Sequence, residues 1–283
     1  MPRTVYVNGA YLHEDEAKIS VFDRGFVFAD GVYEVSSVLD GLLVDNAAHL
    51  ARLQRSMDAL QMAAPASGAE ITAIMKKLIK INDLSEGLVY LQVTRGAADR
   101  DFPFPRQATP TLVIFTQEKN LRDNKGGTQG IRVISVDDIR WGRRDIKTVQ
   151  LLASVLAKQA ALEAGADDAW LVMDGLVTEG SSNNAYIVKD GKIITRKLSS
   201  DILHGITRKA VLALASEASI PVEERSFTIA EAQTADEAFV TSASTFVFPV
   251  VEIDGVRVAQ GTPGPLARRL REIYIENALE NLE

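Results

Sequence analysis

The sequence predicts an α+β protein of two domains. Three observations carry this. The chain has 283 residues, more than one domain of ordinary size needs. Strand and helix signals come in blocks rather than in strict alternation. One stretch near the middle, 117–130, is polar, bears glycines and is nearly free of apolar side chains. The division expected from this is a small N-terminal α+β domain over 1–117, an interdomain linker over 118–130 and a large C-terminal domain over 131–283 that contains Lys147.

In chain order, Val5-Tyr6-Val7 and Ala10-Tyr11-Leu12 flank Asn8-Gly9, a hairpin signal because both turn residues tolerate positive φ. A second hairpin joins 32–39 to Leu42-Leu43-Val44 across Asp40-Gly41. A helix is predicted from about 47 to 62, with Leu50, Leu53, Met57 and Leu60 as its apolar stripe and Arg52 on its polar side. Ile71, Ile74, Met75, Leu78 and Ile79 mark another amphipathic helix, and strand-like runs follow at 88–94 and 111–116. Beyond the linker come a strand at 131–136, a basic segment at 140–147 and a helix at 151–163 that closes before Gly165. Hairpins turn at Asp174-Gly175 and Asp190-Gly191, and a helix starts near Ile206. Thr228-Ile229-Ala230-Glu231 is a capping-box pattern for a short helix. Strands at 238–241 and 248–253 precede a final helix from about Pro265.

Composition excludes several classes of function. Cysteine is absent, which removes disulfides, iron–sulfur clusters and thiolate zinc sites and fits a reducing compartment. The net charge of −7 argues against a nucleic-acid backbone binder. No apolar run has the length of a signal peptide or a membrane span, so the expected location is the cytoplasm. His13, His49 and His204 never fall at metal-ligand spacing, so no metal is expected. Nucleophile-elbow, phosphate-loop and dinucleotide-binding glycine patterns are missing too.

What remains is a set of segments that are individually ordinary. Lys147 sits among apolar neighbours after Arg140, Arg143 and Arg144, where desolvation and like charge disfavour an ammonium. Taken alone, one of twelve lysines is more commonly a surface charge. Glu179 follows a strand and precedes Gly180-Ser181-Ser182-Asn183; a solvated turn carboxylate is the plainer interpretation. Gly205-Ile206-Thr207-Arg208 opens a helix whose free amides suit an anion, or simply a cap. The run 241–245 is small and hydroxylic, and Arg52 is either a phosphate clamp or a surface charge.

The order of the segments is more informative than any one of them. Asp23-Arg24-Gly25 with Asp30-Gly31-Val32-Tyr33-Glu34, His49-Leu50-Ala51-Arg52-Leu53, Gln92-Val93-Thr94-Arg95-Gly96, Lys147, Thr178-Glu179-Gly180-Ser181-Ser182-Asn183 and Gly205-Ile206-Thr207-Arg208 together resemble the fold-type-IV pyridoxal-phosphate family over essentially the whole chain. Within it the chain looks most like the D-amino-acid aminotransferases, through 31–35, 89–100 and the run from Asp138-Ile139-Arg140-Trp141 to Asp145-Ile146-Lys147.

The resemblance implies a two-domain enzyme with pyridoxal 5'-phosphate in the cleft between the domains, moving an amino group between a D-amino acid such as D-alanine and a 2-oxo acid such as 2-oxoglutarate. It implies Lys147 as the Schiff-base lysine and proton carrier, and Glu179 as partner of the pyridine nitrogen. Arg52, the Ile206 and Thr207 amides, the Thr207 hydroxyl and the Ser242-Ala243 turn would hold the phosphate, and Leu203 would pack behind the ring. Tyr33 and Arg100 would bind the substrate carboxylate, Arg100 reaching in from the other subunit of a homodimer with shared active sites. A branched-chain L-amino-acid aminotransferase or an (R)-amine transaminase on the same fold remains open, as does, further off, an aminodeoxychorismate-type lyase. A protein that merely binds the cofactor fits less well, because binding alone needs no substrate-facing Tyr33. One departure stands out: many D-amino-acid aminotransferases have Arg-x-His for the carboxylate, and here Arg100-Asp101-Phe102 puts Phe at the histidine position. Phe cannot donate a hydrogen bond. Carboxylate recognition is therefore expected to be weaker or rearranged, with amines lacking a carboxylate accepted.

Overall fold

A computed structural model describes residues 3–283. The chain forms two compact units. The first takes the described chain to Asn120 together with Ile146–Gln150 and Asn281–Glu283; the second takes Leu121–Asp145 and Leu151–Glu280.

In the first unit β1 (Thr4–Val7) and β2 (Ala10–His13) form the expected hairpin, with Asn8 at φ 46° and Gly9 at φ 100°. A short helix α1 (Arg24–Phe28), capped by the Asp23 carboxylate on the Gly25 amide, leads into β3 (Gly31–Leu39) and β4 (Leu42–Leu43). Then follow α2 (Asn46–Ala59), α3 (Gly68–Ile81), β5 (Gly87–Thr94) and β6 (Thr111–Glu118). The strands make one antiparallel sheet in the order β2-β1-β6-β5-β3-β4. Helix α2 lies on β3, and α3 lies on β1 and β6. The α3 start is a full capping box between Ser67 and Glu70, and its buried stripe is Ile71, Met75, Leu78 and Ile79.

Helix α2 departs from the expected pattern. Its buried face is Asn46, His49, Arg52, Leu53, Ser56 and Met57, while Leu50 and Leu60 are only half-buried. Arg52 therefore lies on the inner face rather than on a polar outer one. The cause is Glu34, a carboxylate at an inward position of β3, which draws the Arg52 guanidinium and the His49 ring from the helix above it.

The second unit begins with α4 (Lys125–Gln129) and β7 (Ile131–Asp137), followed by α5 (Leu152–Glu163), β8 (Asp168–Met173), β9 (Leu176–Gly180), β10 (Asn184–Lys189) and β11 (Lys192–Thr195). Helix α6 (Ile206–Glu217), β12 (Val222–Glu224), α7 (Ile229–Gln233), β13 (Glu237–Ser242), β14 (Phe246–Ile253), β15 (Val256–Arg257) and α8 (Pro265–Glu280) complete it. Eight strands run in the order β12-β11-β10-β13-β14-β7-β8-β9, and β15 pairs with β14. The pairs β11–β12, β14–β7 and β7–β8 are parallel; the rest are antiparallel. Trp170, Ile187, Phe227, Val240 and Val250 belong to its core. None of the helices among the described residues is long and apolar enough to cross a membrane.

Two features differ from the division expected over 118–130 and 131–283. The stretch expected as linker is packed structure: Leu121 is fully buried, α4 lies on β14 and α8, and the Arg271 guanidinium takes the Leu121 and Arg122 carbonyls. Lys147 groups with the first unit, not the second, because its backbone completes an edge of β3.

Candidate active site

In the first unit, β4 covers β3 only at its far end, at Val38 and Leu39. Around Gly31–Tyr33 that edge is taken by the segment after Ile146. Thr148 bridges Val32, the Tyr33 amide donates to the Lys147 carbonyl at 3.0 Å, and the Val149 amide donates to the Gly31 carbonyl at 3.0 Å. The Lys147 amide donates to Ser56 Oγ at 3.4 Å. The backbone of a nucleophile candidate is thus fixed on a strand edge, and its Nζ stands 4.1 Å from the centroid of the Tyr33 ring. Tyr33 stacks on Tyr90 at 5.7 Å, and Tyr90 on Phe115 at 4.7 Å, so the ring beneath the lysine is braced across three strands.

Successive side chains of a strand point to opposite faces. Next to Tyr33, Glu34 therefore turns towards α2, where Arg52 donates from Nε at 2.8 Å to Oε1 and from Nη2 at 2.7 Å to Oε2. His49 Nδ1 lies 2.8 Å from Oε2. Burial alone would push the Glu34 carboxyl up; the Arg52 guanidinium and His49 overcome it and hold it down to about 2. The Arg52 fork is locked in one orientation by this bidentate pair.

Arg100 is exposed, its guanidinium 5.2 Å from the Phe28 ring centroid and 5.8 Å from that of Phe102. Phe102 is 76% exposed. Arg24 holds the loop from below, donating to the carbonyls of Asp101 at 2.6 Å and Phe102 at 3.4 Å and pairing with Asp30, which Arg95 also grips.

In the second unit, Glu179 sits near the end of β9, buried, with donors on both oxygens. Arg140 Nη1 donates to Oε1 at 2.6 Å, Asn184 Nδ2 to Oε2 at 2.8 Å, and the Leu203 amide spans the two at 3.1 and 3.0 Å. A carboxylate offers about four acceptor positions, so three donors leave room for one more. Burial pushes Glu179 up, with the Arg140 charge pulling the other way. Burial likewise opposes the Arg140 charge, but Asp138 and Glu179 outweigh it and hold Arg140 protonated.

Asn184 also donates to the Leu203 carbonyl at 2.9 Å, as does the Gly205 amide. This ties Glu179 to the start of α6. Gly205 is the N-cap and supplies no side chain to the first-turn amides. Those of Ile206 and Thr207 have no acceptor within the helix, and such a positive end favours an anion. A Cβ at Gly205 would collide with Asn184 Oδ1. At the end of β13, Ser242 Oγ lies 2.7 Å from Thr245 Oγ1 and 3.3 Å from Ser244 Oγ, and Arg271 donates to the Thr245 carbonyl at 2.7 Å. Ala243 lies inside this turn.

Lys147 with Tyr33 and Arg52 with Glu34 are thus gathered in the first unit, and Glu179, Leu203, Ile206 and Thr207 in the second, with Ser242 and Ala243 on the turn after β13. Glu34, His49, Asp138, Arg140 and Asn184 were given no site role from the sequence. Glu34 was detectable: it falls in phase with the inward positions Val32, Ser36 and Val38 of β3, opposite a helix with His49 and Arg52 three residues apart.

Each unit by itself offers groups that suit a flat phosphorylated cofactor: the first an amine on a rigid edge, the second a buried carboxylate and an uncapped twelve-residue helix. The class IV amino-transferase family model matches residues 31–253, and the chain belongs to that family, whose members are pyridoxal-phosphate-dependent aminotransferases. Among curated proteins it is 39% identical to a D-alanine aminotransferase of Staphylococcus haemolyticus over 277 residues, 96% of this chain and 98% of that one. It is 40% identical to a D-alanine aminotransferase of Bacillus licheniformis, covering 98% and 96%. Among solved structures it is similar to a T.th. branched-chain amino acid aminotransferase complexed with N-(5'-phosphopyridoxyl)-L-glutamate, with a TM-score of 0.88, 29% identity and coverage of 99% and 95%.

Proposed function

We propose that this enzyme transfers the amino group of a D-amino acid such as D-alanine to a 2-oxo acid such as 2-oxoglutarate. Likeness to D-alanine aminotransferases over nearly the full length of both chains supports the choice of substrate. The observation that carries the catalytic reading is Lys147 Nζ, held 4.1 Å over the Tyr33 ring on a fixed strand edge.

Pyridoxal phosphate supplies an electron-withdrawing ring that stabilises a carbanion at the substrate Cα. Everything else falls to the chain. Lys147 would hold the cofactor through its Nζ, and the same Nζ would take a proton from the substrate Cα and return it one carbon along. Glu179 would keep the ring nitrogen protonated, using the acceptor position that Arg140, Asn184 and Leu203 leave. Arg52, fixed by Glu34, would grip the phosphate with the amides of Ile206 and Thr207, the Thr207 hydroxyl and the Ser242-Ala243 turn. Leu203 would pack behind the ring. Tyr33 orients the substrate carboxylate together with Arg100 of the partner subunit.

The protein acts as a cytoplasmic homodimer in this reading. The hydrogen-bonded segments around Phe22 and Ala98 expose Val21 (69%), Phe22 (56%), Phe26 (72%) and Phe102 (76%), more apolar surface than a free monomer favours. A branched-chain L-amino-acid aminotransferase is the second reading, supported by the likeness to the solved branched-chain enzyme. Coupled turnover of D-alanine and of L-leucine, each with 2-oxoglutarate and beside an absorbance spectrum, tests both. Turnover of D-alanine with a bound-cofactor band is expected; turnover of L-leucine alone overturns the substrate assignment and leaves the cofactor in place.

A further inference from the structure

Behind Glu179 the second unit holds a row of alternating charges that the proposed reaction leaves without a task. Arg140 donates to Glu179 through Nη1 at 2.6 Å and turns Nε and Nη2 onto the two oxygens of Asp138 at 2.9 and 2.8 Å. The Asp138 side chain has no exposed surface. It also accepts from the Thr178 hydroxyl at 2.7 Å and lies 3.4 Å from Arg144 Nε. Arg144 is itself shared, with Asp201 at 3.7 Å, and Asp201 pairs with Arg196 at 2.8 Å.

A buried ion-pair row is seldom retained for stability, because apolar side chains of the same volume stabilise as well or better. Its charge order explains it instead. Glu179 and Arg140 alone sum to zero, and a neutral pair gives a ring nitrogen little reason to keep a proton. With Asp138 offsetting Arg140, and Asp201 in turn offsetting Arg144 beyond it, the groups nearest the ring nitrogen carry net negative charge, and Glu179 is the member with acceptor room.

We propose that Asp138 is a positioning residue that aims Arg140 and offsets its charge, so that Glu179 presents net negative charge to the ring nitrogen of the cofactor. This rests on the assignment of Glu179 to that nitrogen. Asp138 touches neither cofactor nor substrate and acts only through Arg140.

The test is the nitrogen-15 resonance of holoenzyme reconstituted with ring-labelled pyridoxal phosphate, which separates protonated from unprotonated nitrogen. Asp138→Asn keeps the shape and removes the charge. It is expected to move the nitrogen's protonation equilibrium towards the free base by roughly ten- to thirtyfold, the effect of one charge lost at second-neighbour range in an effective dielectric of about 20. The value of kcat is expected to fall with KM for D-alanine within about twofold, because the loss is not in substrate binding. Asp138→Glu should restore the protonated resonance, and so should the double variant Asp138→Asn with Arg140→Met, which removes both charges. A resonance unmoved by Asp138→Asn, or a double variant further from the wild type than the single, overturns the proposal. Glu179→Gln separates the two levels. If it too leaves the resonance unmoved, the assignment of Glu179 fails; if it shifts the resonance while Asp138→Asn does not, only the role of Asp138 fails.

Discussion

Replacing Glu34 by Gln retains the outline of the side chain and removes the one charge that faces Arg52 from β3. Glu34 is held from its ordinary value of 4.5 down to about 2, by partners that overcome the cost of its own burial. Lowering from 4.5 to about 2 corresponds to about 3 kcal/mol. Both side chains are almost completely buried, 3% and 5% exposed, so solvent screens little of this. Breaking a buried pair by removing one partner costs about 3–5 kcal/mol, because the other charge stays behind. The two routes agree, and Glu34→Gln is expected to lower stability by about 3–5 kcal/mol in urea unfolding. Arg52→Met and the double variant complete a thermodynamic cycle. The double variant should be less destabilised than the sum of the singles by about 1.5 kcal/mol or more. A Glu34→Gln cost below about 1 kcal/mol, or additivity within about 0.5 kcal/mol, would refute the reasoning.

The same group sets an acid limit. Its folded-state value lies below 4.5, so its contribution is complete above about pH 4.5 and is lost as pH falls towards 2; stability measured from pH 6 to pH 3 should fall less steeply in Glu34→Gln than in the wild type. Gly205→Ala places a methyl group against Asn184 Oδ1, on the side chain that donates to Glu179, and should weaken cofactor binding by about tenfold or more in an absorbance titration. Gly142→Ala, whose Cβ meets nothing within 4 Å, should leave it unchanged. With Phe102 where a histidine is expected, a simple chiral amine should turn over alongside D-alanine; a strict need for the carboxylate with tight binding contradicts this. Phe102→His, which returns one hydrogen bond to a charged group at about 1.5 kcal/mol or more, should lower KM for D-alanine by about tenfold.

The hairpins were readable because Asn-Gly and Asp-Gly mark positions where the backbone must take positive φ, and Asn8, Asp40, Asp174 and Asp190 all do. Helix α3 was readable from its apolar spacing and α6 from its start at Gly205-Ile206. What failed did so for one physical reason: polar side chains whose partners are distant in sequence. Periodicity assigned α2 an apolar face of leucines, but its inner face answers Glu34 across a gap of 15 to 18 residues. Composition made 117–130 a linker, though the Arg271 guanidinium, about 150 residues away, binds its carbonyls and packs it down. Asp138 and Arg140 counted only towards the resemblance and as charge before Lys147, because only the fold brings Glu179, some 40 residues on, to meet them. Lys147 and Glu179 were singled out by the order of their motifs; the residues that hold them in place were given no role.

The central claim is that Lys147 carries the cofactor. Holoenzyme reduced with borohydride, digested and mapped by mass spectrometry locates the pyridoxyl group directly. A label on the peptide containing Lys147, together with loss of the visible band and of turnover in Lys147→Ala, is the expected result. A label on any of the other eleven lysines, or turnover surviving in Lys147→Ala, would contradict the account.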